Sequence, residues 1–147
     1  PEFAHYGPEP LSEDFNPAYL GRVLKGRKVK LGVVLMDQKV IAGIGKIYSD
    51  EICFRAGLRP TRRAGSLGKR EINKLVAATR EVLEQAIGVR GTTAADSTYV
   101  DAYGLRGNFR PAVYQRDGKA CLRCGGAIRR TRLSDGRAMH WCPGCQK

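Results

Sequence analysis

Long apolar runs are missing from this chain of 147 residues. None approaches the roughly 20 residues that a bilayer-spanning helix needs, and no charged–apolar–small leader pattern stands at the start. The sequence therefore reads as a soluble, cytoplasmic protein with no membrane partner. No internal repeat or low-complexity tract is present, which excludes solenoid and array architectures. Histidine is nearly absent: His5 lies in a turn-rich start and carries no signal, and His140 stands beside a cysteine pair. Acidic residues are scarce as well, 14 against 26 Lys and Arg, for a net charge of +12. Such an excess concentrates polyanions, and nucleic acid is the commonest that a soluble protein meets.

The basic residues are bunched. From Gly104 to Lys147 there are ten, against two acidic residues, Asp117 and Asp135, and KGRKVK supplies Lys25, Arg27, Lys28 and Lys30 upstream. Bunching of this kind suits a surface that tracks phosphates better than one that serves solubility alone.

Periodicity places the elements coarsely. A helix introduced by Ser12 or Asp14 would carry Phe15, Tyr19, Leu20, Val23 and Leu24 on one face. LGVVLMDQKVIAG is a strand or a buried helix, which its pattern does not separate. Gly43-Ile44-Gly45 breaks it, and KIYSDEICFRAG follows as a helix stopped by Gly57 and Pro60. A longer helix over about 66–87 has Ser66 as cap, Gly88 as stop, and a stripe through Ile72, Leu75, Val76, Thr79, Val82, Leu83, Ala86 and Ile87. Residues 91–109 read as a long loop. Cys53 falls in an apolar helix and reads as a small buried hydrophobe.

The remaining four cysteines carry chemistry. Cys121 and Cys124 form one C-x-x-C pair, Cys142 and Cys145 another, with seventeen residues between the pairs. Zinc takes four ligands in a tetrahedron, and each C-x-x-C turn offers two thiolates to one ion. The spacer suits a β-hairpin, AIRRTR running out, Asp135-Gly136 turning, AMHW returning. Four thiolates leave no open position, so one Zn2+ at Cys121, Cys124, Cys142 and Cys145 is structural, and His140 is a hairpin side chain. Arg137 follows the turn dipeptide, where a long cation on a pinned tip can reach a groove or a phosphate.

Together, LMDQKVIAGIGKIYSDEICFRAG, the GTT that follows, and CxxC…GR…CPGCQ resemble the C-terminal half of the formamidopyrimidine-DNA glycosylase and endonuclease VIII family, from about Tyr6 to Lys147. The resemblance implies a mainly α fold with a small β zinc module: a helix–two-turns–helix domain of about four helices over 4–109, including the loop 91–109, then a four-cysteine zinc-finger β-hairpin over 110–147. It implies duplex DNA, damaged or abasic, as partner, a monomer, and a bacterial-type, nucleoid-associated location. The family's phosphate-binding turn corresponds to Gly43-Ile44-Gly45, where glycines before a helix start let a phosphate approach exposed N–H groups and the positive dipole end. The family's hairpin arginine corresponds to Arg137. The loop that begins at GTT resembles the family's lesion-capping loop.

Three positions depart from the family pattern. Lys46 stands where the family has Asn, and pairs a phosphate only as a point charge. Gly32 or Val33 stands near a family Lys, with Lys30 the nearest substitute. Met139 replaces a Thr. The DNA-contact candidates are therefore Gly43, Gly45, Lys46, Arg137 and Lys30. The family's chemistry uses an N-terminal Pro amine and a neighbouring Glu on a preceding β-sandwich domain, whereas here GPEPL, which resembles the family's inter-domain junction, arrives within ten residues. The expectation is a DNA-binding part of a base-excision repair glycosylase/AP lyase, inactive on its own. Pro1 and Glu2 as nucleophile and acid/base form the enzymatic alternative, but PEFAHY offers no strand framework to hold them. Residues 1–3 read instead as a cloning-linker remnant. A zinc-stabilised RNA- or protein-binding module is the third reading.

Overall fold

A computed structural model of the chain describes residues 6–92, 110–133 and 135–147; the side chains of 88–92 are also left aside. Its elements run α1 (Pro17–Leu24), α2 (Leu31–Leu35), α3 (Lys46–Ala56), a 3-10 turn (Ala64–Ser66), α4 (Lys69–Thr92), β1 (Arg129–Arg132) and β2 (Ala138–Trp141). The fold is mainly helical with one small antiparallel sheet, as expected.

Helix α1 starts later than its sequence suggests. Asn16 is the cap, its side-chain oxygen accepting from the Tyr19 amide at 2.8 Å, with Pro17 opening the helix. Asn is among the best N-caps and Pro suits the first helical position. Ser12 instead closes a preceding turn on the Glu9 carbonyl. The expected face holds: Phe15, Leu20 and Leu24 are buried, with Tyr19 and Val23 packed against the core.

The ambiguous LGVVL is a single short helix. The amides of Leu31 and Gly32 donate to the carbonyls of Arg62 and Pro60, so a tertiary strap starts α2 where no side chain caps it. Two turns then lead to α3. Asp37 accepts from the amide of Lys39, and Gly43 adopts φ 82°, a left-handed conformation that favours glycine.

Helix α3 has almost no polar face: nine of its eleven residues are buried, all but Lys46 and Arg55. A helix buried all round lies at the centre of its fold. Gly57, at φ 74°, closes it in a Schellman motif, its amide reaching Phe54 O and that of Leu58 reaching Cys53 O. Cys53 is fully buried, and burial pushes its thiol well above its ordinary range.

Helix α4 is capped by Gly68 rather than Ser66. The Ile72 amide bonds to Gly68 O while the Glu71 carboxylate accepts from Gly68 N at 3.0 Å, half of a capping box. Gly88 does not stop this helix, which continues to Thr92; an interior glycine costs only about 1 kcal/mol relative to Ala. Residues 91 and 92, expected to open a loop, are helical, and the rest of that expected loop, 93–109, lies outside the described residues. The stripe packs on α1 and α3 as read, except that Ile87 is 49% exposed.

The hairpin pairs Arg129 with Trp141 and Arg132 with Ala138. Strand β2 lies against α3, with Met139, His140 and Trp141 buried, while the arginines of β1 face solvent. A second, smaller core of Phe54, Val113, Cys121, Ile128 and Cys142 joins this module to the helical body through α3.

Candidate nucleic-acid interface and metal centre

The four paired cysteines meet. Their Sγ atoms all lie within 4.8 Å of one another, with Cys121 to Cys145 at 3.8 Å and Cys124 to Cys142 at 3.4 Å. Four thiolates on one tetrahedral ion with bonds of about 2.3 Å would stand about 3.8 Å apart, so the set fits a single metal ion. Backbone N–H groups of Arg123 and Gly126 point at the sulfurs of Cys121 and Cys124, each at 3.4 Å, an arrangement that would steady metal-bound thiolates. His140 is not a member of the cluster.

The metal module is riveted to the end of α3. Gln146, with no exposed surface, accepts from the Cys142 amide at 2.7 Å and donates to Leu58 O at 2.8 Å. Arg59 donates to the carbonyls of Gln146 and Pro143 and stacks over Trp141, 4.9 Å from the ring centre. The Trp141 indole in turn donates to Thr131 Oγ1 on β1.

Two adjacent acids on α3 hold the module's other edge. The Glu51 carboxylate accepts the backbone N–H groups of Ala112, Val113 and Tyr114 at 2.8, 2.9 and 3.0 Å. Asp50 is fully buried and accepts on one oxygen, Oδ2, from Lys46 Nζ at 2.5 Å and from the amide of His140 at 3.1 Å, with His140 Nδ1 at 2.9 Å. Neither acid emerged from sequence as a site residue. The signal was there: two consecutive carboxylates in an otherwise apolar helical run, where buried charges are kept only with partners.

These ties bring together two residues far apart in sequence. Lys46 and Arg137 line one cleft of about 520 Å3 with Tyr114, Gln115, Asp117, Arg130 and His140. Lys46 opens α3, whose first turn has no side-chain cap and no acidic residue; its ammonium stands 5.6 Å from the Tyr114 ring centre. Gln115 lies in the same wall at φ 56°, uncommon for a residue with a side chain. Arg137 leans from the hairpin onto Met36, its Nη1 3.4 Å from the sulfur, and is bracketed by Asp135 at 2.6 and 2.7 Å. The guanidinium holds the Asp135 carboxyl below its usual range.

The other candidates are distributed differently. Gly45 is the N-cap of α3, in extended conformation. Gly43 leaves open space where a side chain would stand, and its amide donates to Gln38 Oε1 at 2.8 Å; it lines a separate apolar pocket with Tyr6, Leu11 and Ile87. Lys30 is exposed at the opposite end of α2 from Met36, bridged to Arg63, and does not line the cleft. Met139 packs its thioether on Gly32, where an added Cβ would meet the end of the Met139 side chain. Pro1, Glu2 and His5 lie outside the described residues.

A helix–two-turns–helix body carrying a four-cysteine hairpin defines the class of module, and in this chain one helix start and one hairpin arginine line a shared cleft. The model of the formamidopyrimidine-DNA glycosylase H2TH domain matches residues 6–98, and the chain belongs to that family. It is 47% identical over 148 aligned residues to the formamidopyrimidine-DNA glycosylase of Carboxydothermus hydrogenoformans, covering 99% of this chain and 55% of that protein. The MutM (Fpg) protein from Thermus thermophilus superposes with a TM-score of 0.84 at 44% identity, over 97% of this chain and 54% of that one. A Lactococcus lactis Fpg in complex with DNA containing an abasic site superposes at 0.83 with 32% identity, over 97% and 52%. The chain thus spans about half the length of the curated relatives it matches. Among the described residues, no helix is long and apolar enough to cross a membrane.

Proposed function

We propose that this chain is the DNA-binding part of a base-excision repair glycosylase/AP lyase and grips duplex DNA, damaged or abasic, through its phosphates. The observation that carries the reading is the shared cleft, in which Lys46 at the α3 start and Arg137 from the hairpin converge with Arg130. Helix starts and guanidinium groups are the two protein devices that best accept a phosphate. Gly43 and Gly45 would let the backbone approach closely, and Lys30 would add a contact on a second basic strip. The metal is Zn2+, whose work is to hold the hairpin that carries Arg137 rather than to do chemistry. The helical domain of 4–109 and the hairpin of 110–147 act as one monomeric clamp in a bacterial cytoplasm, at the nucleoid.

The test is duplex binding across a salt series. Each phosphate neutralised contributes a slope of about −0.9 in log K against log salt, so several contacts give a steep line. Arg137→Ala is expected to weaken binding to all sequences alike, by about tenfold, and to flatten the line by about one contact. A salt-independent affinity would refute the reading, and preference for duplex RNA or a protein partner would replace it with the third reading above.

A further inference from the structure

We propose that Asp50 is the positioning residue of the phosphate cleft: it fixes the Lys46 ammonium on one wall and strand β2 on the other, so that Lys46 and Asp50 act in DNA binding as one unit. The inference rests on the DNA-binding reading. Asp50 has no surface in the cleft and cannot touch a ligand there, yet two cleft-lining residues, Lys46 and His140, both hang on its Oδ2. Its other oxygen, Oδ1, is buried without a hydrogen-bond partner among the described residues.

Helix energetics does not explain this arrangement. A cation at the first helical position meets the positive end of the dipole, and a Lys four residues ahead of an Asp is the less favourable order for a helical pair. A fully buried carboxylate with one unused oxygen is also costly. What the pair does achieve is geometric. Lys46 keeps only 21% of its side chain exposed and is stretched along α3 towards the hairpin, over the Tyr114 ring. A free surface lysine would lose rotamer freedom on binding each phosphate; here that order exists beforehand. The same oxygen sets the height of β2 against α3, and with it the place from which Arg137 projects.

Asp117 also faces this assembly, its Oδ1 3.6 Å from His140 Nε2. It is 45% exposed and lines the cleft itself, so it is not the hidden anchor.

The test uses the zinc-loaded chain and a duplex carrying an abasic-site analogue, with Asp50→Asn, Lys46→Met and the double variant. Each single change is expected to weaken binding about tenfold and to lower the magnitude of the salt slope by about 0.9, one counterion. The double variant should be no more than about twofold worse than either single, with one zinc per chain throughout. Wild-type-like binding by Asp50→Asn, or a double variant weakened by the hundredfold product of the singles, overturns the proposal. If Asp50→Asn does not fold, Lys46→Arg decides. Arginine can still pair with Asp50 and should bind near wild-type level, whereas equal losses in Lys46→Arg and Lys46→Met overturn the inference. A wild-type chain with no salt-dependent binding refutes the DNA-binding reading itself; failure of the Asp50 variants alone leaves that reading standing.

Discussion

Glu51 offers the sharpest test of how the metal module is held. The residue is 7% exposed, and its carboxylate accepts three consecutive backbone N–H groups, those of residues 112, 113 and 114. Hydrogen bonds to a charged group contribute about 1.5–3 kcal/mol each, and a buried donor left without a partner costs about 1–3 kcal/mol. Glu51→Gln removes the charge and one acceptor oxygen, leaving at least one of the three N–H groups stranded; the expected loss is about 2–3 kcal/mol. Glu51→Ala removes all three acceptors and should cost about 4–6 kcal/mol, after allowing for water entering the gap. For a domain whose whole stability is about 5–15 kcal/mol, that is a large share. Trp141 is the single tryptophan and sits on β2, so its fluorescence reports the hairpin, while far-ultraviolet circular dichroism reports the helices. In urea, Glu51→Gln should lower both midpoints, and Glu51→Ala should lose the tryptophan signal ahead of the helical one. A loss below about 0.5 kcal/mol for Glu51→Gln would show that these N–H groups are solvated in the native state, and the reasoning would fail.

Two further outcomes follow from the same contacts. Chelating the metal, or replacing Cys142 with Ser, should release the hairpin with loss of the Trp141 signal while α1, α3 and α4 keep their circular dichroism, because structural zinc sites built from four cysteines fold through their metal; retained fluorescence after verified metal loss would contradict this. Glu71 is held below its ordinary value of 4.5, chiefly by the Arg62 hydrogen bond. A depressed folded value means its contribution is present above pH 4.5 and lost as pH falls through that lower value. The pair is partly exposed, so Glu71→Gln should remove under about 1 kcal/mol of stability at neutral pH, and less as the pH falls below 4.5, read from urea midpoints.

Much of this molecule was legible in its sequence, for reasons that differ by element. The α4 stripe and the Schellman stop at Gly57 are local patterns, and the hairpin and the four clustered cysteines follow from spacing. The misread boundaries all have tertiary or local competing causes. Asn16 displaced Ser12 because Ser12 was already closing its own turn, and α2 is helical because its first amides find distant carbonyls at Pro60 and Arg62. Gly88 failed to stop α4, since one interior glycine is a small penalty against a long packed helix. The cleft was half visible: Lys46 and Arg137 could be named, but Asp50, Glu51, Tyr114 and Gln115 matter through contacts between segments far apart in the chain, which no local pattern encodes.

The near-total burial of α3 has a consequence for how such a chain can change over generations. Nine of its eleven positions are buried, Ile47, Tyr48, Ile52, Cys53 and Ala56 in the helical core and Phe54 in the core of the hairpin module. Drift there would require paired, compensating changes, Lys46 with its buried partner Asp50 included, leaving Arg55 as the place where a single substitution can be tried cheaply. Variation in the grip on a ligand should therefore accumulate along the outward arginines of β1, and at the helix's first residue only together with Asp50. The helix between them should change slowly, as the fixed datum against which both surfaces are tuned.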